Sequence, residues 1–237
     1  MKIYAIADLH LSLDERIDKP MDVFGPGWGD HAERVKSAWT ELVTDDDIVI
    51  IAGDISWGLK LDEAMADLEW IHELPGQKVL LRGNHDLWWC RIQHLRTLYD
   101  DMHFLQNDCY YVEALDLAIC GSRGWPTPDA ATYTEHDEKM YLREQGRLRN
   151  SLVEAKKKGA SRIIMAMHYP PAKIEETEFT RIMQEYGVMQ CVYGHLHGMV
   201  AWTNGIKGEH GGIDYKLVSL DYLGARPKLI YDSEQEM

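Results

Sequence analysis

The sequence predicts an α/β protein with a mixed sheet, and three observations lead to this prediction. Between residues 3 and 99, short apolar runs rich in β-branched residues alternate with segments of helical periodicity, which indicates parallel β-α-β units. Near residues 109–120 two apolar runs follow each other across a short turn, which indicates an antiparallel pair. The 237 residues are 45% hydrophobic and 27% charged, a composition typical of a folded globular protein. We expect one domain that spans residues 1–237.

The first predicted elements are a strand, a long loop and a helix. The apolar run Ile3–Ala7 predicts a buried strand. Residues 11–29 include prolines and several glycines, and they predict an irregular loop that is long enough to act as a lid over a site. Asp30 and Glu33 have the spacing of a capping box, so we expect a helix to begin at Asp30.

The next segments continue the alternation of strands and helices. Apolar runs at 48–52 and 79–81 predict two strands, each followed by a polar cluster. Between them, apolar residues from Leu61 to Ile71 recur with helical spacing. A third helix is predicted over Leu87–Tyr99.

The second half of the sequence adds more strands and one long helix. The lysines at 156–158 and Gly159 are typical of a helix C-terminus, because cations there oppose the negative end of the helix dipole. The predicted elements are an antiparallel pair at 109–112 and 117–120, a polar helix at about 135–158, strands at 162–167 and 190–193, a short helix near 179–186, and strands within 212–223 and 228–231.

Net charge and cysteine content limit the classes of partner and compartment. The formal net charge of −14 opposes binding to duplex nucleic acid or to an anionic membrane, since both need clustered lysine and arginine. No apolar run approaches the roughly 18 residues of a membrane span, and no secretory signal precedes the first strand. We expect a cytoplasmic protein without a membrane partner, and nothing in the sequence indicates an oligomeric state. The cysteines lack metal-type spacing and are expected to be buried free thiols: Cys90, Cys109, Cys120 and Cys191.

Five short polar motifs directly follow predicted strands, and they indicate the function. Open α/β sheets bind ligands at the carboxyl ends of their strands, so these motifs are expected to carry the chemistry. They are Asp8-x-His10, Gly53-Asp54, Gly83-Asn84-His85-Asp86, a lone His168, and Gly194-His195-x-His197.

The residue types in these motifs suit two divalent transition metal ions. Residues two apart on an extended segment share a face, so Asp8 with His10 and His195 with His197 can each chelate one ion. Asp54 has two carboxylate oxygens and can bridge two ions. Imidazole and carboxylate ligands accept Mn, Fe, Zn, Co or Ni, and seven such ligands suit two ions. Two ions a few ångströms apart support hydrolysis of a phosphate ester by a metal-bound hydroxide, without a covalent enzyme intermediate.

The ordered motifs resemble those of the calcineurin-like metallophosphoesterase superfamily. The resemblance extends from Asp8 to His197 and is closest to small bacterial-type phosphohydrolases and phosphodiesterases. It implies a four-layer α/β/β/α sandwich with two mixed sheets. It also implies which residues bind each metal: Asp8, His10, Asp54 and His197 bind one ion, and Asp54, Asn84, His168 and His195 bind the other.

The same resemblance implies that His85 is not a ligand but faces the substrate. There it would donate a proton to the leaving oxygen or stabilise charge in the transition state, and Asp86 would orient it. This role agrees with general chemistry, because an imidazole titrates near neutral pH and a neighbouring carboxylate favours its protonated form.

Four further residues are candidates for substrate contact. Trp57, Trp88 and Trp125 lie close to the motifs or to strand ends and could stack on a flat group, although packing in the core is the more common role for tryptophan. Arg123 could bind a substrate phosphate or form a surface ion pair. We expect a small phosphodiester or nucleotide-like substrate; the alternatives are a phosphomonoesterase, a single-strand nuclease, and a non-catalytic interaction module.

Overall fold

The structure is a computed structural model that describes residues 1–234. Seven α-helices and eleven strands lie within these described residues. The helices are α1 His31–Leu42, α2 Leu61–His72, α3 Ile92–Leu95, α4 Glu135–Lys157, α5 Glu178–Glu185, α6 Gly198–Trp202 and α7 Leu220–Leu223. The strands are β1 Lys2–Ile6, β2 Ile48–Ile51, β3 Gln77–Leu80, β4 Met102–Phe104, β5 Cys109–Val112, β6 Leu117–Ser122, β7 Arg162–Met167, β8 Gln190–Tyr193, β9 Gly208–His210, β10 Ile213–Leu217 and β11 Lys228–Asp232.

The polypeptide forms two compact units, each with its own sheet. The first unit combines Met1–Phe104 with the segment from Val218 onward, and the second is Leu105–Leu217. The expectation of one domain over residues 1–237 stays a prediction, and residues 235–237 lie outside the described part.

The first unit contains a five-stranded mixed sheet in the order β11-β1-β2-β3-β4. The strands β1 to β4 are parallel, and β11 runs antiparallel beside β1. β2 is buried along its whole length, as its continuous apolar run predicts. In the register of the sheet, Ile6 pairs with Ile51 and Ile51 with Leu80. The three strands that precede the motifs therefore end at the same level.

The second unit contains a six-stranded mixed sheet in the order β5-β6-β7-β8-β10-β9. The four central strands are parallel, and β5 and β9 are antiparallel edge strands. Met167 pairs with Ser122 on one side and with Tyr193 on the other, so β6, β7 and β8 also end at one level. The long helix α4 packs on β5 and β6 and against α5. Each unit has its own cluster of buried apolar side chains.

The fold class is confirmed as an α/β protein with two mixed sheets. The strands predicted at 162–167 and 190–193 have the observed bounds. The antiparallel pair is also present, with Cys109 opposite Cys120. The predicted end of α4 is confirmed too, because Gly159 has φ of 82° and its N–H bonds back to Lys156.

Two predictions for the first unit are wrong. α1 begins directly after Asp30, as expected, but the capping box does not form. Asp30 has a left-handed backbone (φ 47°) instead of the extended backbone usual at this position, and its side chain makes no capping hydrogen bond. The helix predicted over Leu87–Tyr99 is reduced to Ile92–Leu95. Trp88 and Trp89 are buried in the core, and a turn from Trp89 N–H to the Asp86 carbonyl replaces helical hydrogen bonds there.

Several short elements were not predicted from the sequence. β4, β9, α6 and α7 have three to five residues each, too few to show a period. Strand structure within 212–223 is limited to Ile213–Leu217. Cys90 is exposed, whereas the other three cysteines are buried free thiols as expected.

The loop at residues 11–29 is largely irregular, as predicted, with one turn of 3-10 helix at Met21–Phe24. Met21 and Trp28 are buried, so the loop is fastened to the first unit at two points. Its action as a lid stays a prediction. No helix within residues 1–234 has both the length and the apolar character needed to cross a bilayer.

Candidate metal centre and active site

Three candidate ligands in the first unit lie in strained backbone at strand ends. Asp8 and His10 follow β1, and Asp54 follows β2; their φ angles are 60°, 44° and 52°. Non-glycine residues seldom adopt this left-handed region, and when they do the position is often functional. His195 in the second unit has the same feature, with φ of 71°.

Backbone hydrogen bonds hold these three residues together. Asp8 N–H donates to the Gly53 carbonyl at 2.9 Å, and His10 N–H donates to the Asp54 carbonyl at 3.0 Å. His10 Nε2 lies 3.8 Å from Asp54 Oδ2. All three side chains are buried, which is costly for two carboxylates unless a positive partner compensates their charge.

The segment after β3 completes the site in the first unit. Asn84 is half-buried and His85 is exposed. His85 N–H donates to Asp54 Oδ1 at 2.8 Å, which joins this segment to the end of β2. Gly83 is required here, because a Cβ atom on it would lie 2.1 Å from Asp54 Oδ1 and 2.2 Å from the Asp54 nitrogen.

Asp86 anchors the turns that carry the ligands. Its buried carboxylate accepts backbone N–H bonds from residues 54, 55, 56 and 83 at 2.7–3.2 Å. It also accepts the indole N–H of Trp88 at 3.0 Å. Burial raises the pKa of Asp86, and the nearby negative charge of Asp54 raises it further. Orientation of His85 by Asp86 stays a prediction; the hydrogen bonds of Asp86 show that it fixes the backbone on both sides of Asp54.

The candidate tryptophans of the first unit occupy different environments. The Trp57 ring stacks on His10, with centroids 4.8 Å apart, and lies 4.5 Å from the His85 ring. The two histidine rings are themselves 5.6 Å apart. Trp88 is only 2% exposed and bonds to Asp86, so its side chain belongs to the core beneath the site.

In the second unit, His168 and His195 lie at the ends of adjacent strands. Their ring centroids are 5.1 Å apart, and Gly194 N–H donates to the His168 carbonyl at 3.2 Å. Tyr169 contacts both rings, at 5.4 Å from His168 and 4.2 Å from His195. His197 is half-buried and precedes α6.

Arg123 and Trp125 follow β6 in the second unit. The backbone carbonyl of Arg123 accepts from the N–H groups of His168 and Tyr169, at 3.2 and 2.9 Å. The Arg123 guanidinium lies 4.7 Å from the Trp125 ring centroid. Trp125 also donates its indole N–H to Asp137 at 2.9 Å. The Arg123 segment is thus fixed to the strand end that carries His168.

The donor set in each unit fits divalent transition metals. The first unit offers buried carboxylates, an imidazole and an amide, and the second offers imidazoles that stand close together. Such mixed nitrogen and oxygen donors suit Mn, Fe, Zn, Co or Ni. The two buried carboxylates Asp8 and Asp54 further favour a cation.

Sequence patterns missed two contributors to this site. The sequence identifies Gly83 only as the first residue of its motif. It does not predict the close approach of Gly83 to Asp54, because that approach depends on the tertiary fold. Asp67 in α2 is buried, and it accepts from Leu13 N–H at 2.8 Å and from Ser56 Oγ at 2.5 Å. It thereby ties together the segments that follow β1 and β2, and nothing in its local sequence indicates this role.

Comparisons with known proteins agree with the motifs. The family model for calcineurin-like phosphoesterases matches residues 1–199. The Gene 66 protein of Mycobacterium phage D29 is 36% identical over 84 residues, which cover 35% of this chain and 40% of the phage protein. The Gene 66 protein of Mycobacterium phage L5 is 44% identical over 57 residues, 24% of this chain and 27% of that protein. The alignments thus span less than half the length of these curated relatives.

Two solved structures share the fold. A protein of unknown function from Aquifex aeolicus superposes with a TM-score of 0.54 at 14% identity, covering 99% of this chain and 96% of that one. A protein from Thermus thermophilus gives a TM-score of 0.54 at 12% identity, covering 96% and 97%. Because the family model spans most of the sequence, including all five motifs, the chain belongs to the calcineurin-like phosphoesterase family.

Proposed function

We propose that this protein is a metal-dependent phosphohydrolase that acts on small phosphate esters, with a phosphodiester or nucleotide-like substrate preferred. The observation that carries the proposal is the position of His85. Its imidazole is exposed, lies 5.6 Å from the His10 ring, and is joined through its backbone to buried Asp54. In a member of a phosphoesterase family, this position supports a role for His85 as a proton donor close to candidate metal ligands.

The proposed cofactors are two divalent transition metal ions. When bound, they would lower the pKa of a water molecule and offset negative charge on the phosphate. Family membership and the donor types support seven ligands. We assign Asp8, His10, Asp54 and His197 to one ion, and Asp54, Asn84, His168 and His195 to the other.

His85 and Asp86 are the proposed catalytic residues. His85 holds a proton for the leaving oxygen, a task that requires an accessible imidazole that is not occupied as a ligand. Asp86 positions it through the backbone, because its carboxylate bonds to N–H groups on both sides of Asp54 while Asp54 accepts the N–H of His85. The expected compartment is the cytoplasm.

Trp57, Trp125 and Arg123 are the proposed substrate contacts. Trp57 lies against His85, and the Arg123 guanidinium is held over the Trp125 ring, so each offers a flat surface. Trp88 is assigned to the support of Asp86 instead, since its side chain is buried. The net charge of −14 disfavours duplex nucleic acid as a substrate.

A reconstitution assay tests the proposal. Metal-free protein is loaded with Mn²⁺ and assayed with aryl phosphomonoesters, aryl phosphodiesters, cyclic nucleotides and single-stranded oligonucleotides. We expect metal-dependent hydrolysis with the highest kcat/KM on a diester or a nucleotide. Asp54→Asn should abolish it, whereas Asp46→Asn, an exposed loop aspartate, should not. Preference for monoesters or oligonucleotides would identify the alternative enzyme classes, and no hydrolysis of any substrate would favour an interaction module.

A further inference from the structure

A small apolar cavity in the first unit lies beside the proposed catalytic residues. Its volume is about 170 Å³, and it is lined by Lys19, Pro20, Met21, Val23, Phe24 and Trp57. All but one of these residues come from the loop at 11–29, and Trp57 comes from the segment after Asp54.

The loop side of the cavity is fixed in place. The 3-10 turn Met21–Phe24 buries Met21, whose Sδ accepts the indole N–H of Trp57 at 3.2 Å. The same turn leaves Val23 70% exposed and Phe24 69% exposed. Two adjacent large apolar side chains on the wall of a cavity are typical of a surface that binds a ligand.

Trp57 connects the cavity with the proposed chemistry. Its ring stacks on His10 at 4.8 Å and contacts His85 at 4.5 Å, while the same residue lines the cavity. A group bound in the cavity would therefore contact the same indole ring as His85, the residue that is proposed to protonate the leaving oxygen. This shared contact with Trp57 favours the substrate as the occupant.

The lining also indicates the chemical character of that occupant. Lys19 is the only charged residue among the six, and its Nζ lies 5.4 Å from the Trp57 ring centroid. Aromatic walls stack on flat rings more favourably than on alkyl groups, and the ammonium group favours an occupant that carries negative charge nearby.

We propose that this cavity is the subsite for an aromatic substituent of the phosphate ester. This inference rests on the proposed phosphohydrolase function and narrows its substrate class to esters that carry a nucleobase or an aryl ring. Val23 and Phe24 are then specificity-determining residues, because they would contact the ring without touching the reacting phosphate.

Binding of two phosphonates to the Mn²⁺-loaded protein tests this subsite without turnover. Phenylphosphonate and methylphosphonate have the same anionic group and differ only in the ring, and their affinities can be compared by calorimetry. We expect phenylphosphonate to bind the wild type about tenfold more tightly, since burial of an aromatic ring is strongly favourable. Val23→Ser and Phe24→Ser should each reduce this preference several-fold and leave methylphosphonate affinity unchanged.

Leu229→Ser is the matched control, because Leu229 is an exposed apolar residue of β11 that does not line the cavity. It should keep the wild-type preference. Equal affinity of the wild type for both phosphonates would overturn the subsite while the phosphate site stands. A preference that Val23→Ser and Phe24→Ser leave unchanged would also overturn it. Failure of both phosphonates to bind would refute the proposed function and the subsite with it.

Discussion

The backbone N–H of His85 donates a hydrogen bond to Asp54, but the two residues have different proposed roles. Single substitutions can therefore distinguish loss of the proton donor from loss of a metal ligand. His85→Ala should retain the wild-type metal content, because the His85 imidazole is not a proposed ligand. Its kcat should fall by about 10²- to 10⁴-fold on esters with poor leaving groups, the usual contribution of a general acid. Nitrophenyl esters, which need little protonation, should lose less. Elemental analysis and steady-state kinetics check this; loss of metal would make His85 a ligand.

Asp67 gives a residue-scale prediction for the pH dependence of stability. Burial raises its pKa to about 6, although hydrogen bonds from Ser56 and Leu13 oppose the rise. The folded protein therefore holds a proton on Asp67 at pH values where the unfolded protein, with an ordinary carboxyl pKa near 4, has released it. The contribution of Asp67 to the free energy of unfolding therefore decreases as the pH rises from about 4 to about 6.

The substitution Asp67→Asn removes this titration and keeps an oxygen that can accept one hydrogen bond. Relative to the wild type, the variant should gain about 2 kcal/mol in free energy of unfolding between about pH 4 and about pH 7. Urea unfolding of the metal-free proteins at the two pH values measures this difference. Parallel changes in the two proteins would show that Asp67 does not titrate in this window.

At the scale of elements, the sequence predicts strands that are apolar runs, but it does not predict elements whose ends depend on tertiary contacts. β2, β7 and β8 are continuous apolar runs, and their bounds follow from the sequence within one residue. The helix expected over Leu87–Tyr99 fails because Trp88 bonds to Asp86 and packs in the core instead of extending a helix. Asp30 fails as a cap because its backbone is left-handed and not extended, which the spacing of Asp30 and Glu33 does not reveal.

Glycines within elements provide a prediction on helix stability. Gly146 lies in α4, is exposed, and has no atom within 4 Å of the place its Cβ would take. Gly146→Ala should raise the free energy of unfolding by about 0.5–1 kcal/mol and the Tm by about 1–4 °C, because alanine has the higher helix propensity.

Gly83→Ala is the opposite case and serves as the comparison. Its Cβ would overlap Asp54, so this variant should lose both stability and the proposed metal binding. Thermal unfolding measures both variants. A Gly146→Ala protein that is less stable than the wild type would contradict the prediction that helix propensity decides the effect at this position.

At the scale of the whole molecule, the sequence names the candidate ligands but does not predict the backbone geometry that holds them. The five motifs name every candidate ligand, because each directly follows an apolar strand. The left-handed backbone of Asp8, His10 and Asp54 is not predictable in this way, and neither is the hydrogen bonding of Asp86 to residues about thirty positions away. Both arise from contacts between distant segments, which local patterns do not encode.

Metal binding should affect the stability of the whole protein, because the proposed ligands extend from residue 8 to residue 197. A net charge of −14 and buried Asp8 and Asp54 oppose folding without cations. An ion that binds only the folded state adds about 2.7 kcal/mol at a hundredfold excess over its Kd, which corresponds to a rise in Tm of about 5–10 °C. Thermal unfolding with and without Mn²⁺ measures this shift. Asp54→Asn should lose most of it and Asp46→Asn should keep it, whereas an equal shift in both variants would mean that Mn²⁺ acts by general screening of charge.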